Sequence, residues 1–165
     1  MHPTIGHVHL KVSNLERSIE FYREVLGMDL TLRHGTHAAF LSYGGYHHHL
    51  GLNTWQSRGG RQPDPSMTGL FHLAILFPTQ QDLAKATRRV LDAGVVLDGA
   101  ADHGVSVAVY FRDPDGNGIE LYSDRPAEAW PRHPDGELVM VTEPLDLHSL
   151  LRMAEKPADL ASREG

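Results

Sequence analysis

The feature that most constrains this chain is an internal repeat. An offset of 65 residues, His7 to His72, lays Gly6-His7-Val8-His9-Leu10 on Phe71-His72-Leu73-Ala74-Ile75. The same offset lays Arg23, Val25 and Leu26 on Arg88, Val90 and Leu91. Self-similarity of this kind means that one supersecondary unit is used twice. A lone unit cannot bury its apolar faces, whereas two facing copies can close a cavity between curved sheets.

Each copy reads β-α-β-β-β. In the first, Ile5–Val12 alternates with the period of a strand. Asn14 offers an N-cap, and Leu15, Ile19, Tyr22, Val25 and Leu26 recur at helical spacing up to Gly27, a C-terminal stop. Strands are expected at Asp29–Arg33, Ala38–Tyr43 and Tyr46–Asn53, with Gly44-Gly45 as a hairpin turn. In the second, a strand at Leu70–Phe77 precedes a helix capped by Thr79 and ended at Gly94. Strands follow near Val95–Asp98, Val105–Phe111 and Gly118–Tyr122, and Asp113-Pro114-Asp115-Gly116-Asn117-Gly118 is a dense turn signal. The expected fold is α+β, with two βαβββ modules at about 5–53 and 70–123 pairing curved mixed sheets. A Gly-, Pro- and Ser-rich loop, 54–69, joins them. Residues 1–145 are expected to form one domain, with a strand at Glu137–Thr142. Residues 146–165 are left as a C-terminal helix, within Leu145–Ala154, and a frayed tail.

Composition narrows the chemistry. There is no cysteine, which excludes disulfides, thiolate metal sites and a cysteine nucleophile. The formal charge of −6 argues against nucleic acid as a partner. No stretch reaches the roughly 20 apolar residues of a membrane span, and the first residues do not look like a signal peptide, so a cytoplasmic location is expected. Histidine, with 12 of 165 residues, is the anomaly. A transition-metal site here must use imidazole and carboxylate.

His7 opens the first strand of one copy and His72 the equivalent strand of the other, so the repeat places them symmetrically. Glu120 lies in the short apolar segment Gly118-Ile119-Glu120-Leu121-Tyr122, where an unpaired carboxylate is costly to bury. Two imidazoles and a carboxylate are the donor set of a non-haem iron(II) facial triad, and zinc, manganese or nickel also accept such ligands. A metal-containing cavity between the modules is therefore expected. His9 shares a face with His7 by alternation, so the pattern alone leaves either as the ligand.

The residues also carry a resemblance. Gly6-His7-Val8, then Asn14-Leu15-Glu16-Arg17-Ser18 and Phe21-Tyr22, resembles the opening of the vicinal oxygen chelate superfamily of glyoxalases, bleomycin-resistance proteins and extradiol dioxygenases. His103, Val109-Tyr110, Asp113-Pro114-Asp115-Gly116 and Glu120 at their spacings are similar to the signature of type I extradiol dioxygenases. The stretch to Tyr122, with Asp124-Arg125-Pro126 and Trp130, is most like the catechol 2,3-dioxygenase branch. Two departures stand: Ala101 replaces the residues usual at its position, and one repeat pair stands where most catechol-type enzymes carry two.

The resemblance implies His7, His72 and Glu120 as metal ligands for iron(II). It implies Tyr110 as the tyrosine that hydrogen-bonds a substrate hydroxyl and His103 as a histidine supporting the bound oxygens. In Tyr46-His47-His48-His49-Leu50 it implies His48 as the acid–base residue, with strand alternation setting His47 and His49 on the opposite face. The activity implied is cleavage of a catecholic ring by O2 to a muconic semialdehyde. A metal that lowers the pKa of a bound hydroxyl would bind the substrate as an anion, and His48 would take the second proton. A homodimer is expected. The competing expectations are a glyoxalase-like metal-dependent isomerase or epimerase, and a non-catalytic small-molecule binder of the bleomycin-resistance kind.

Overall fold

The computed structural model describes residues 2–155; the tail expected to fray lies almost wholly outside them. The repeat returns as topology. The first copy is β1 (Val8–Lys11), α1 (Leu15–Glu20), β2 (Asp29–His34), β3 (Ala38–Ser42) and β4 (Leu50–Asn53). The second is β5 (His72–Leu76), α2 (Gln80–Asp92), β6 (Leu97–Asp102), β7 (Ser106–Arg112) and β8 (Gly118–Asp124). A two-residue strand, β9 (Glu143–Pro144), and α3 (Leu147–Met153) follow. The four-stranded sheet has the order β1-β4-β3-β2, and the five-stranded sheet has the equivalent order β5-β8-β7-β6 with β9 added at the edge. Both sheets are mixed and neither closes into a barrel.

Two compact units are formed. One comprises the described residues up to Leu73 with Phe111–Ile119, and the other Ala74–Tyr110 with those from Glu120 onward. In the first unit, β1 runs parallel to β4, with Val8 opposite Leu50 and Leu10 opposite Leu52. Leu10, Val12, Leu15, Ile19, Leu41 and Leu52 are buried, while His9 and Lys11 alternate onto the exposed side. Asn14 caps α1 by accepting from the Arg17 amide at 3.1 Å. The helix then widens into a π turn over Phe21–Val25 before Gly27, at φ 73°, ends it. That turn buries Tyr22 completely and brings its hydroxyl 2.9 Å from Asp113 Oδ2, to which it donates.

In the second unit, Thr79 caps α2 by accepting from the Asp82 amide and donating to the Asp82 carboxylate. The helix closes in a Schellman arrangement, Gly94 N–H to Leu91 O and Val95 N–H to Val90 O. Leu83, Ala84, Ala86, Thr87 and Val90 form its buried face, and α3 packs beside the helix.

Three expectations change. The segment Tyr46–His49 is loop rather than strand: the β3–β4 ladder ends at Leu41 opposite Leu50, and the rings of the connecting segment are held by Ser42, Tyr43 and one another. Glu137–Thr142 forms no continuous strand. Arg132 and Leu138 make one isolated bridge, and the sheet gains only β9. The strand expected at Val95–Asp98 starts later and runs to Asp102, since the Schellman close of α2 consumes Val95.

Candidate active site

Along β1 the side chains of His9 and Lys11 stand on the face opposite the buried Leu10 and Val12. Sheet register puts His9, Gly51 and Phe40 in one row. A Cβ added at Gly51 would lie 2.8 Å from Cγ and Nδ1 of the His9 ring, so the glycine lets that ring lie flat on the sheet. Phe40 and Trp55 flank it, at centroid separations of 5.8 and 5.6 Å.

His7, immediately before β1, packs against His48, with ring centroids 4.5 Å apart. His48 also meets the edge of Phe40 at 5.0 Å, and its Nδ1 is 2.7 Å from Nδ1 of His47. The strand alternation expected for the triplet is absent, and different contacts sort the three rings. His49 Nδ1 bonds with Ser42 Oγ at 2.9 Å and accepts from the Tyr43 amide. Tyr46 stacks over both His47 and His49. His48 is thus the member of the triplet whose ring meets His7. Desolvation holds His48 below the ordinary imidazole value, and the neighbouring His7, His47, His9 and His49 add to the effect. Burial, and then His7, lower His9 in the same way. Neutral imidazole is the form that can give a lone pair to a metal or take a proton.

His72 opens β5 and is half-buried. Gly118, at the start of β8, presses on the backbone beneath it: a Cβ there would fall 2.2 Å from Phe71 O and 3.0 Å from His72 Cβ. Only glycine allows that approach.

Glu120 lies on β8, 9% exposed, and its Oε1 accepts from the Tyr110 hydroxyl at 3.0 Å on the adjacent strand β7. The same hydroxyl is 2.6 Å from His103 Nε2, and His103 Nδ1 is 2.8 Å from the Val141 carbonyl. A carbonyl only accepts, so Nδ1 carries a hydrogen. If Nε2 carries none, the phenolic hydrogen is shared between His103 and Glu120. One further proton, on His103 or on Glu120, satisfies all three contacts. Burial, then the charge of Glu120 and its hydrogen bond, push Tyr110 up to about 12, so the phenol remains a donor.

The Asp113–Gly118 turn has a structural task. Asp113 accepts from the amides of Asp115 and Asn117, from Asn117 Nδ2 and from Tyr22. Asp115 Oδ1 accepts from Ser13 and Arg17, and its Oδ2 from Ser18, tying the turn to the start of α1. Phe40, Trp55 and the Val141 carbonyl were not foreseen from sequence. Phe40 carried the only usable signal, as an aromatic on a strand. Among the described residues no three His, Asp or Glu side chains stand close enough together to hold a metal ion, and no helix is long and apolar enough to cross a membrane.

Comparison with known proteins gives consistent matches. The model of the glyoxalase/bleomycin resistance protein/dioxygenase superfamily matches residues 4–121. A catechol-2,3-dioxygenase of Bacillus subtilis is 41% identical over 150 residues, 91% of this chain and 52% of that protein. A biphenyl-2,3-diol 1,2-dioxygenase of Rhodococcus globerulus is 33% identical over 124 residues, 74% of this chain and 64% of that one. The chain thus spans between about half and two-thirds of the length of these relatives. Among solved structures, a glyoxylase/bleomycin resistance protein/dioxygenase domain from Frankia sp. shares the fold, with a TM-score of 0.63 at 24% identity, over 76% of this chain and all of the other.

Proposed function

Since the chain belongs to the glyoxalase/bleomycin resistance protein/dioxygenase superfamily, we propose that it is an extradiol dioxygenase that opens a catecholic ring with O2. Its iron(II) would be held by His7, His72 and Glu120. The donor types suit that ion, two imidazole nitrogens and one carboxylate, although the described residues do not bring three such side chains together. Iron, when bound, supplies Lewis acidity toward a catechol hydroxyl and the redox partner for O2.

The observation that carries the proposal is the hydrogen-bond chain Glu120–Tyr110–His103. It joins the proposed carboxylate ligand to a phenol and an imidazole that can orient substrate oxygens, as outer-shell partners do at metal sites. His48, whose ring packs on His7, would accept the second catechol proton and return it, a role open to a neutral imidazole. Phe40, His9 and Trp55 offer flat surfaces on which an aromatic ring can lie.

The test is oxygen uptake by the full chain loaded anaerobically with iron(II), then mixed with catechol and alkyl or aryl catechols. Uptake with a yellow ring-opened product, absent in Glu120→Ala, is the expected result. Iron-loaded protein without uptake favours an isomerase or epimerase, and failure to hold a metal points to a binder. Stoichiometric iron and full turnover in Glu120→Ala would refute the ligand assignment.

A further inference from the structure

A cleft of about 790 Å³ opens at the C-terminal end of β1, between that strand and the 56–70 loop. Its walls include His9, Lys11, Arg61, Asp64 and Asp115. His9 also belongs to the aromatic row over Gly51, so the cleft is continuous with the surface that bears His7 and His48.

The charges lining the cleft are unequally engaged. Asp115 is taken up by Ser13, Arg17 and Ser18. Asp64 turns back on its own loop, accepting from the amide and hydroxyl of Ser66. Lys11 and Arg61 make no ion pair or hydrogen bond with any described residue. In a chain of formal charge −6, two cations without partners among the described residues thus face one cleft in which Asp115 is ion-paired with Arg17 and Asp64 is hydrogen-bonded to Ser66.

The strand supplies the distance. Lys11 follows His7 by four residues on the same face, roughly 13 Å at about 3.3 Å per residue. The Lys11 side chain is exposed and long enough to span part of that gap. A group reaching the cleft from a ring beside His7 must pass His9, Trp55 and Phe40. Those rings favour a flat or aliphatic stem, whereas Lys11 and Arg61 favour an anionic end. Arginine meets a carboxylate with a planar pair of donors, and lysine adds a point charge.

We propose that this cleft binds the carboxylate of a catechol bearing a short carboxyalkyl side chain, and so sets the substrate class. Lys11 and Arg61 are the specificity-determining residues, and His9 with Trp55 covers the stem. This rests on the chain acting on catechols, and it adds which catechols are preferred.

The experiment measures binding by calorimetry under nitrogen, with the iron-loaded full chain and separately with the metal-free chain. The probes are 3-(3,4-dihydroxyphenyl)propionate and the neutral 4-propylcatechol, and the readout is the ratio of their Kd values. Exposed ion pairs are individually weak, so the two cations together should give the carboxylate roughly a tenfold advantage in Kd, about 1.4 kcal/mol. The advantage should shrink with added salt. It should fall close to unity in Lys11→Gln/Arg61→Gln and be partly restored in Lys11→Arg/Arg61→Lys, with melting curves confirming that the variants fold.

Equal Kd values in the native chain, a preference that survives the double neutralisation, or no binding of either probe would each overturn the proposal. Oxygen uptake in the same preparations separates the two readings. Cleavage of catechol without a carboxylate advantage removes only the cleft assignment. A carboxylate advantage with no cleavage of any catechol keeps the cleft as a carboxylate site but removes the dioxygenase reading and the substrate class built on it.

Discussion

Tyr110 and Glu120 stand on adjacent strands with the phenol donating to Oε1 at 3.0 Å, while His103 Nε2 lies 2.6 Å from the same oxygen. A ring without that hydroxyl breaks the chain at its middle. Tyr110→Phe should retain iron yet lose roughly 10- to 100-fold in kcat toward catechol, the usual effect of removing an outer-shell partner. Iron content and kcat measured together check this, and an unchanged kcat would remove Tyr110 from substrate orientation.

His48 meets His7 at 4.5 Å, whereas His49 is bonded to Ser42 and Tyr43. His48→Ala should keep iron and lose about 10²- to 10⁴-fold in rate, as for a missing general base. His47→Ala and His49→Ala should lose much less. A rate unaffected in His48→Ala but abolished in either neighbour would reassign the base.

Gly118 admits no side chain, because a Cβ would stand 2.2 Å from Phe71 O. Gly118→Ala must displace the backbone that carries His72, at a cost of about 1–3 kcal/mol for an overpacked site. Urea denaturation reads the stability, and Mn(II) titration should show weaker binding if His72 is a ligand. An unchanged midpoint would mean that the strands can separate there freely.

Tyr22 is wholly buried, and burial first, then the Asp113 charge and hydrogen bond, raise its phenol well above the ordinary value near 10. The folded state keeps this proton where the unfolded chain loses it. The resulting stability is complete below about pH 10 and is lost as pH rises toward the folded value. Tyr22→Phe should unfold more easily at pH 7, by about 1–3 kcal/mol for a hydrogen bond lost from the Asp113 carboxylate, whose Oδ2 keeps only Asn117 Nδ2 among the described residues. Its stability should then decline less steeply between pH 10 and 11. Some decline should persist, because Tyr110 is raised in the same direction. Denaturation midpoints at both pH values decide it, and an identical slope in the variant would exclude Tyr22 as the titrating group.

Much of the fold was legible because repeats, caps and glycine stops are local signals. Asn14, Thr79, Gly27 and Gly94 bound their helices as read, and the offset from His7 to His72 became two sheets of the same strand order. The first half of the strand expected at Tyr46–Asn53 and the strand expected at Glu137–Thr142 did not form, for one reason. Alternating polarity cannot separate a strand from a loop whose side chains are held by distant groups, here Ser42 for His49 and His103 for Val141.

By itself the sequence determined the α+β class, the duplicated module and the residue types from which a metal site could be drawn, since periodicity and spacing are written along the chain. Only the tertiary structure decided that His48 rather than His49 meets His7. It likewise decided that Tyr110 links Glu120 to His103, and that Lys11 and Arg61 face one cleft without partners among the described residues. Those relations depend on angles and distances of an ångström or two between segments far apart in the chain, which no local pattern encodes.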